Sequence, residues 1–154
     1  MRLPQYIQDV DTWKSDFYFY TPIEIRFSET DMFGHMNNVS PFIYFEEARI
    51  KFFNAIQLFG TLNESNDKVP VVGDLQCDFF KQVYFGDELK LHVKVAEVGN
   101  SSVDIHYMGL NQRDELCITG RGKVVQINPQ TGKSTPFESD QLKKLENGYK
   151  TLNK

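Results

Sequence analysis

The chain is poor in the features that mark secreted, membrane or nucleic-acid-binding proteins. Only two cysteines occur, Cys77 and Cys117, and no CxxC pair; this excludes a disulfide framework and fits free thiols in a reducing compartment. No stretch approaches the roughly 18 apolar residues a spanning helix needs. The opening Met1-Arg2-Leu3-Pro4-Gln5 carries no apolar core of a secretory signal. A cytoplasmic protein without a membrane partner is therefore expected. Basic charge is also short: 17 Lys and Arg stand against 21 Asp and Glu, a net charge of -4. That balance argues against a broad nucleic-acid surface, which needs clustered cations. His35, His92 and His106 are the three histidines, too scattered for a zinc signature. No G-x-S-x-G nucleophile elbow is present. Gly132-Lys133-Ser134 is similar to the end of a phosphate-binding loop, but Ile127 stands where its first glycine would be. No metal or prosthetic cofactor is indicated.

What is present is ordinary globular material. The 154 residues, 40% hydrophobic and 25% charged, suit one domain with a sizeable core. From Tyr18 to Ser28 the pattern is strand-like, with Ile23, Ile25 and Phe27 alternating against Glu24, Arg26 and Ser28. Turn formers then gather between Glu29 and Val39. Ser40 as N-cap and Pro41 as first helical residue predict the start of a long helix. Its apolar stripe is Phe42, Phe45, Ala48, Phe52, Ala55, Ile56 and Phe59, with Gly60 placed to end it. A polar connection, Thr61 to Lys68, leads to four strand patterns: Val71 to Phe80, Glu88 to Val98, Val103 to Tyr107, and Leu116 to Ile127. Ser139 to Asn147 reads as a short polar helix. One strand, one buried helix and an antiparallel meander make an α+β domain in which a curved sheet wraps around the helix. The core spans about residues 18–138 of a single domain covering 1–154, with a short N-terminal extension and a polar C-terminal helix.

The densest group of chemically able side chains runs from Glu29 to Asn38, between a strand and the start of the helix. The first N–H groups of a helix are unpaired and partly positive. Such an end can polarise a carbonyl while a nearby carboxylate, here Asp31, acts as base or nucleophile. Turn and cap chemistry by itself also accounts for every residue type in the segment.

The run Arg26-Phe27-Ser28-Glu29-Thr30-Asp31-Met32-Phe33-Gly34-His35-Met36-Asn37-Asn38, followed by Tyr44-Phe45-Glu46-Glu47-Ala48-Arg49, resembles the hot-dog thioesterases. It is similar to their 4-hydroxybenzoyl-CoA thioesterase-like branch, with its D-x-x-G-H-x-N-N signature and a helix carrying E-x-A-R. The likeness continues through Val83-Tyr84-Phe85-Gly86-Asp87, Gly99-Asn100-Ser101-Ser102 and Thr131-Gly132-Lys133. It implies a hot-dog fold and hydrolysis of an acyl thioester of coenzyme A or acyl carrier protein, within lipid metabolism. Asp31 would be nucleophile or general base, and the backbone N–H of Asn38 would polarise the thioester carbonyl. Substrate contacts are expected from Phe33, Gly34, His35, Asn37, Tyr44 and Glu46. The family also implies a homodimer or homotetramer with each site between protomers, and coenzyme A as part of the substrate rather than a cofactor.

Two departures stand out. Pro41 occupies a position where the family commonly has Tyr, so altered acyl selectivity is expected. Gly99-Asn100-Ser101-Ser102 replaces an Arg-rich turn of some relatives; Lys81, Arg121 and Lys123 are the candidates to meet coenzyme A phosphates, with an ordinary solvated charge as the default reading of each. The related plant acyl-carrier thioesterases use an Asn where Phe33 stands, so that role does not transfer. The alternative is a non-catalytic acyl-thioester-binding or sensor protein of the same fold, although only about 17 residues precede the first strand, too few for a DNA-binding output domain. A hydratase of this fold would need a different Asp and His motif, which is absent.

Overall fold

The computed structural model describes residues 2–60 and 67–152. Five antiparallel strands form one sheet: β1 (Phe19–Glu24), β2 (Val69–Phe79), β3 (Glu88–Val98), β4 (Ser102–Leu110) and β5 (Leu116–Ile127). Their spatial order is β1-β3-β4-β5-β2, so β1 and β2 are the edges. Among the described residues three α-helices accompany them: α1 (Val10–Ser15), α2 (Ser40–Ala55) and α3 (Ser139–Asn147). This is the α+β hot-dog fold, a curved sheet around one long central helix. The polar connection expected over Thr61 to Lys68 lies mostly outside the described residues. Among those described, no helix is long and apolar enough to cross a membrane.

Alternation decides which side of each strand meets α2. Leu89, Leu91 and Val93 of β3 and Ile105 and Tyr107 of β4 are fully buried beneath the helix. On β5 the inward positions include Gly120 and Gly122, which face Tyr107 and Ile105 across the strand pair. At Gly120 a Cβ would fall 2.5 Å from the Phe45 ring, so the absence of a side chain is what lets α2 approach the sheet. Phe45 in turn stacks on Tyr107 with centroids 4.4 Å apart.

The expected stripe is buried at Phe45, Ala48, Phe52 and Ile56, but the buried face is wider than expected on one side and excludes Ala55. The buried residues of α2 are Ser40, Pro41, Tyr44, Phe45, Ala48, Arg49, Phe52 and Phe53, with Ile56 buried just after it, while Ala55 is exposed and Phe42 half-buried. Arg49 is tolerated inside because its guanidinium donates to the Tyr107 hydroxyl at 3.0 Å. Glu47 lies on the outer side and pairs with Lys51 at 2.7 Å. The expected caps also shift. Ser40 is the first helical residue rather than the cap. The Asn37 side-chain oxygen accepts from the Val39 and Ser40 N–H groups at 2.8 and 3.1 Å. At the other end the left-handed residue nearest the helix is Gln57, with Gly60 following at φ 70°.

The N-terminal segment showed no period in the sequence, yet it packs across the outer face of the sheet. Ile7 and Trp13 form a second apolar cluster with Met108 and Leu110. The Trp13 indole N–H donates to His106 Nδ1 at 2.9 Å, and the buried Lys94 ammonium donates to the Trp13 carbonyl at 2.7 Å.

Candidate active site

After β1 the chain turns through a short 3₁₀ segment, Phe27–Glu29, and enters a loop closed on itself. Thr30 and Met36 form an antiparallel bridge across its neck. Inside, the Asp31 N–H donates to the His35 carbonyl at 2.7 Å and the Gly34 N–H to the Asp31 carbonyl at 3.0 Å. Gly34 takes φ 78°, the left-handed conformation that favours glycine. Asp31 Oδ1 accepts from the Phe33 and His35 N–H groups at 2.8 and 3.2 Å. Oδ2 has no protein partner among the described residues. One carboxylate oxygen therefore anchors the turn and the other is open.

The loop is tied to its surroundings at three points. The Met36 N–H donates to the Val83 carbonyl at 2.7 Å and the Asn37 N–H to the Glu29 carbonyl at 2.9 Å, while His35 bridges to Tyr84. With Asn37 occupied in capping, the Asn38 N–H is left without a protein acceptor among the described residues. It sits at the entry to α2, where the amide ends of the helix point outward.

Asp31, His35, Met36 and Asn38 line one side of a cavity of about 420 Å³, and residues 79–83 line the other. The second wall is held to β5 by the Phe80 and Lys81 N–H groups, both donating to the Cys117 carbonyl. Phe79 and Val83 make it apolar, and Lys81 pairs with Glu115 at its rim. This wall was missed in the sequence except for Lys81 and for Val83-Tyr84-Phe85-Gly86-Asp87. The link between the two walls is a contact between distant segments and leaves no local pattern.

The other expected site residues lie elsewhere in the single chain. Phe33 is 73% exposed and stacks on His35. Gly34 and Asn37 shape the loop and the helix start without bordering the cavity. Tyr44 is buried inside, and Glu46 is exposed on the outer side of α2. Glu29, not singled out by its sequence position, is a buried carboxylate. Burial opposes its charge, but the Arg26 guanidinium and N–H hold it below the ordinary carboxylate range. Among the described residues no three His, Cys, Asp or Glu side chains gather as a metal site.

Residues 25–145 match the thioesterase-like superfamily. The chain belongs to that superfamily. An uncharacterized protein of Bacillus subtilis, YsmA, is 42% identical over 146 residues, covering 94% of this chain and 97% of its own. A 1,4-dihydroxy-2-naphthoyl-CoA hydrolase of Rippkaea orientalis is 28% identical over 125 residues, 79% of this chain and 90% of the relative. Among solved structures, a predicted thioesterase from Bacillus stearothermophilus superposes with a TM-score of 0.73 at 28% identity, over 83% of this chain and 93% of that one. For this member of the thioesterase-like superfamily, thioester hydrolysis is the supported reaction class.

Proposed function

We propose that the protein hydrolyses an acyl thioester of coenzyme A or acyl carrier protein, with Asp31 as the catalytic carboxylate and the Asn38 N–H polarising the thioester carbonyl. The observation that supports this most is the shared cavity: Asp31, with one carboxylate oxygen unpartnered, and Asn38, whose N–H has no protein acceptor among the described residues, both line it. A thioester carbonyl directed at that amide gains from the donor and from the helix dipole as negative charge builds on its oxygen. Two routes use the same geometry. In one, Asp31 attacks the carbonyl carbon and expels the thiolate, and water then cleaves the resulting anhydride. In the other, Asp31 takes a proton from water, whose oxygen adds to the carbon before the thiolate leaves. Neither route requires a metal or prosthetic group.

His35 at the cavity and the exposed Phe33 are the substrate contacts the loop itself offers, with Gly34 and Asn37 holding their backbone. Tyr44 and Glu46 do not border the cavity of one chain, so any contact from Glu46 belongs to an assembled site. A homodimer or homotetramer is supported by the free edge of β2. Val71, Val72 and Phe79 on that strand and Ile43 and Ile50 on α2 are exposed apolar side chains, and an uncovered strand edge invites pairing.

The test is a panel of acyl-CoA thioesters, aromatic, short-chain and long-chain, assayed by release of free thiol. 2-Naphthoyl and benzoyl thioesters belong in it because a relative is named for a 2-naphthoyl substrate. Turnover of at least one class is expected. A folded protein that binds members of the panel and hydrolyses none is a sensor, and the proposal fails.

A further inference from the structure

The outer face of the sheet carries a buried polar contact that thioester hydrolysis does not use. Alternation along β4 sends Ile105 and Tyr107 toward α2 and His106 to the opposite side, where the N-terminal segment lies. Trp13 of α1 donates its indole N–H to His106 Nδ1 at 2.9 Å, and His106 Nε2 stands 3.4 Å from Asp104 Oδ2. Both rings are closed off from water, each 6% exposed. An indole nitrogen only donates, so Nδ1 must present a lone pair and the imidazole proton must sit on Nε2, facing Asp104. The two contacts together select the neutral Nε2–H tautomer.

A second proton has one place to go, Nδ1, where it sets N–H against N–H and turns the Trp13 contact from attraction to repulsion. The surrounding charges do not relieve this. Lys94 on β3 and Arg121 on β5 are the residues paired across from His106. Arg121 is engaged by Asp104 and Asp74. The Lys94 ammonium donates to the Trp13 carbonyl at 2.7 Å and lies 3.8 Å from Asp16, which puts a cation beside the docked indole. From the N-terminal segment the Tyr6 ring comes 4.9 Å from the imidazole, with its hydroxyl 2.8 Å from that of Thr119. Lys150 borders the same cavity as His106 and Lys94. Asp104, the carboxylate against the ring, belongs to β4 and stays with His106 whether the segment is docked or not. The difference between the docked and released states is therefore the Trp13 contact. The docked state holds one proton fewer, so acid favours release.

We propose that the N-terminal segment is a proton-operated strap, closed over the outer face of the sheet while His106 is neutral and released when the imidazole takes its second proton. Release uncovers Met108 and Leu110, against which Ile7 and Trp13 pack. The strand pairings stay in place, so the event is a local opening and not unfolding. It does not depend on the part assigned to Asp31.

Trp13 is the single tryptophan of the chain, so indole fluorescence and the indole N–H resonance report on the latch alone. The window is about pH 8 to pH 5, where imidazole is the ordinary side chain that changes charge. Across it, emission should shift to the red in one reversible step. Protection of the indole N–H against exchange should fall at least about fivefold, the equilibrium worth of one hydrogen bond, while the amides between β3 and β4 keep theirs. His106→Asn places an amide oxygen near the position of Nδ1 and cannot take up the proton, so its emission should stay constant over the window. His92→Asn removes the other histidine of this face, whose ring lies 6.1 Å from Phe17, itself packed on Trp13; the step should persist there. Nitrogen-15 shifts of the wild-type imidazole provide a readout that needs no variant: the Nε2–H tautomer at pH 8, and protonation that coincides with the emission step. A flat wild-type emission, a step that survives His106→Asn or is lost with His92→Asn, an Nδ1–H tautomer at pH 8, or protonation that leaves emission unmoved each overturns the proposal.

Discussion

Replacing Asp31 separates chemistry from architecture, because its two carboxylate oxygens do different work. Oδ1 accepts two backbone N–H groups, from Phe33 and His35. Asp31→Asn can keep those bonds with its amide oxygen, and its NH₂ replaces the oxygen that has no partner. The loop should stand and Tm should stay close to wild type. Asp31→Ala removes both acceptors. At about 0.5–1.5 kcal/mol per hydrogen bond the loss is at most about 3 kcal/mol. It should fall toward the low end because the site is exposed and water can replace the acceptor. For a domain of this size, Tm then drops by about 2–4 °C per kcal/mol. Turnover behaves differently: both variants lose the acid–base group or nucleophile, so kcat should fall roughly 10²–10⁴-fold in each. That corresponds to about 3–5 kcal/mol of barrier at 1.36 kcal/mol per tenfold. Calorimetry together with thiol release on the best panel substrate measures both quantities. An Asp31→Asn protein with wild-type Tm and wild-type kcat refutes the assignment. An Asp31→Asn protein as destabilised as Asp31→Ala refutes the division of labour between the two oxygens.

Two further predictions follow from packing and charge. Gly120→Ala places a Cβ 2.5 Å from the Phe45 ring and 2.9 Å from the Gln76 carbonyl, an overpacking expected to cost about 1–3 kcal/mol; an unchanged Tm would show that α2 has slack against the sheet. Acid should destabilise the fold through Glu29 and Asp104. Burial opposes the charge of each, but Arg26 holds Glu29, and His106 with Arg121 hold Asp104, below their ordinary values of 4.5 and 3.8. A depressed carboxylate contributes stability that is complete above its ordinary pKa and lost as pH falls through the folded one. Denaturant midpoints should thus be flat above about pH 5 and fall below pH 4, and a midpoint insensitive to acid would contradict both pairings.

What the sequence determined by itself was whatever repeats within a few residues. The alternation of Leu89, Leu91 and Val93 identifies β3 because side chains of a strand point to opposite faces in turn. The apolar recurrence from Phe42 onward marks α2 because a helix returns to the same face every three to four residues. The crowding of Asp31, Gly34, His35 and Asn38 between these elements was legible in the same way, as a turn before a helix start. Tertiary structure decided what depends on distant neighbours. Phe45 seats on Tyr107 because Gly120 leaves room for its ring, and Arg49 turns inward because the Tyr107 hydroxyl accepts from its guanidinium. The second wall of the cavity, residues 79–83, arrives because β2 pairs with β5 at the far edge of the sheet. The N-terminal segment shows no period, since Trp13 and Ile7 are held by His106, Lys94 and Met108 rather than by a repeat of their own. Periodicity records which face a residue occupies, but the partner across that face is chosen only when the chain closes on itself.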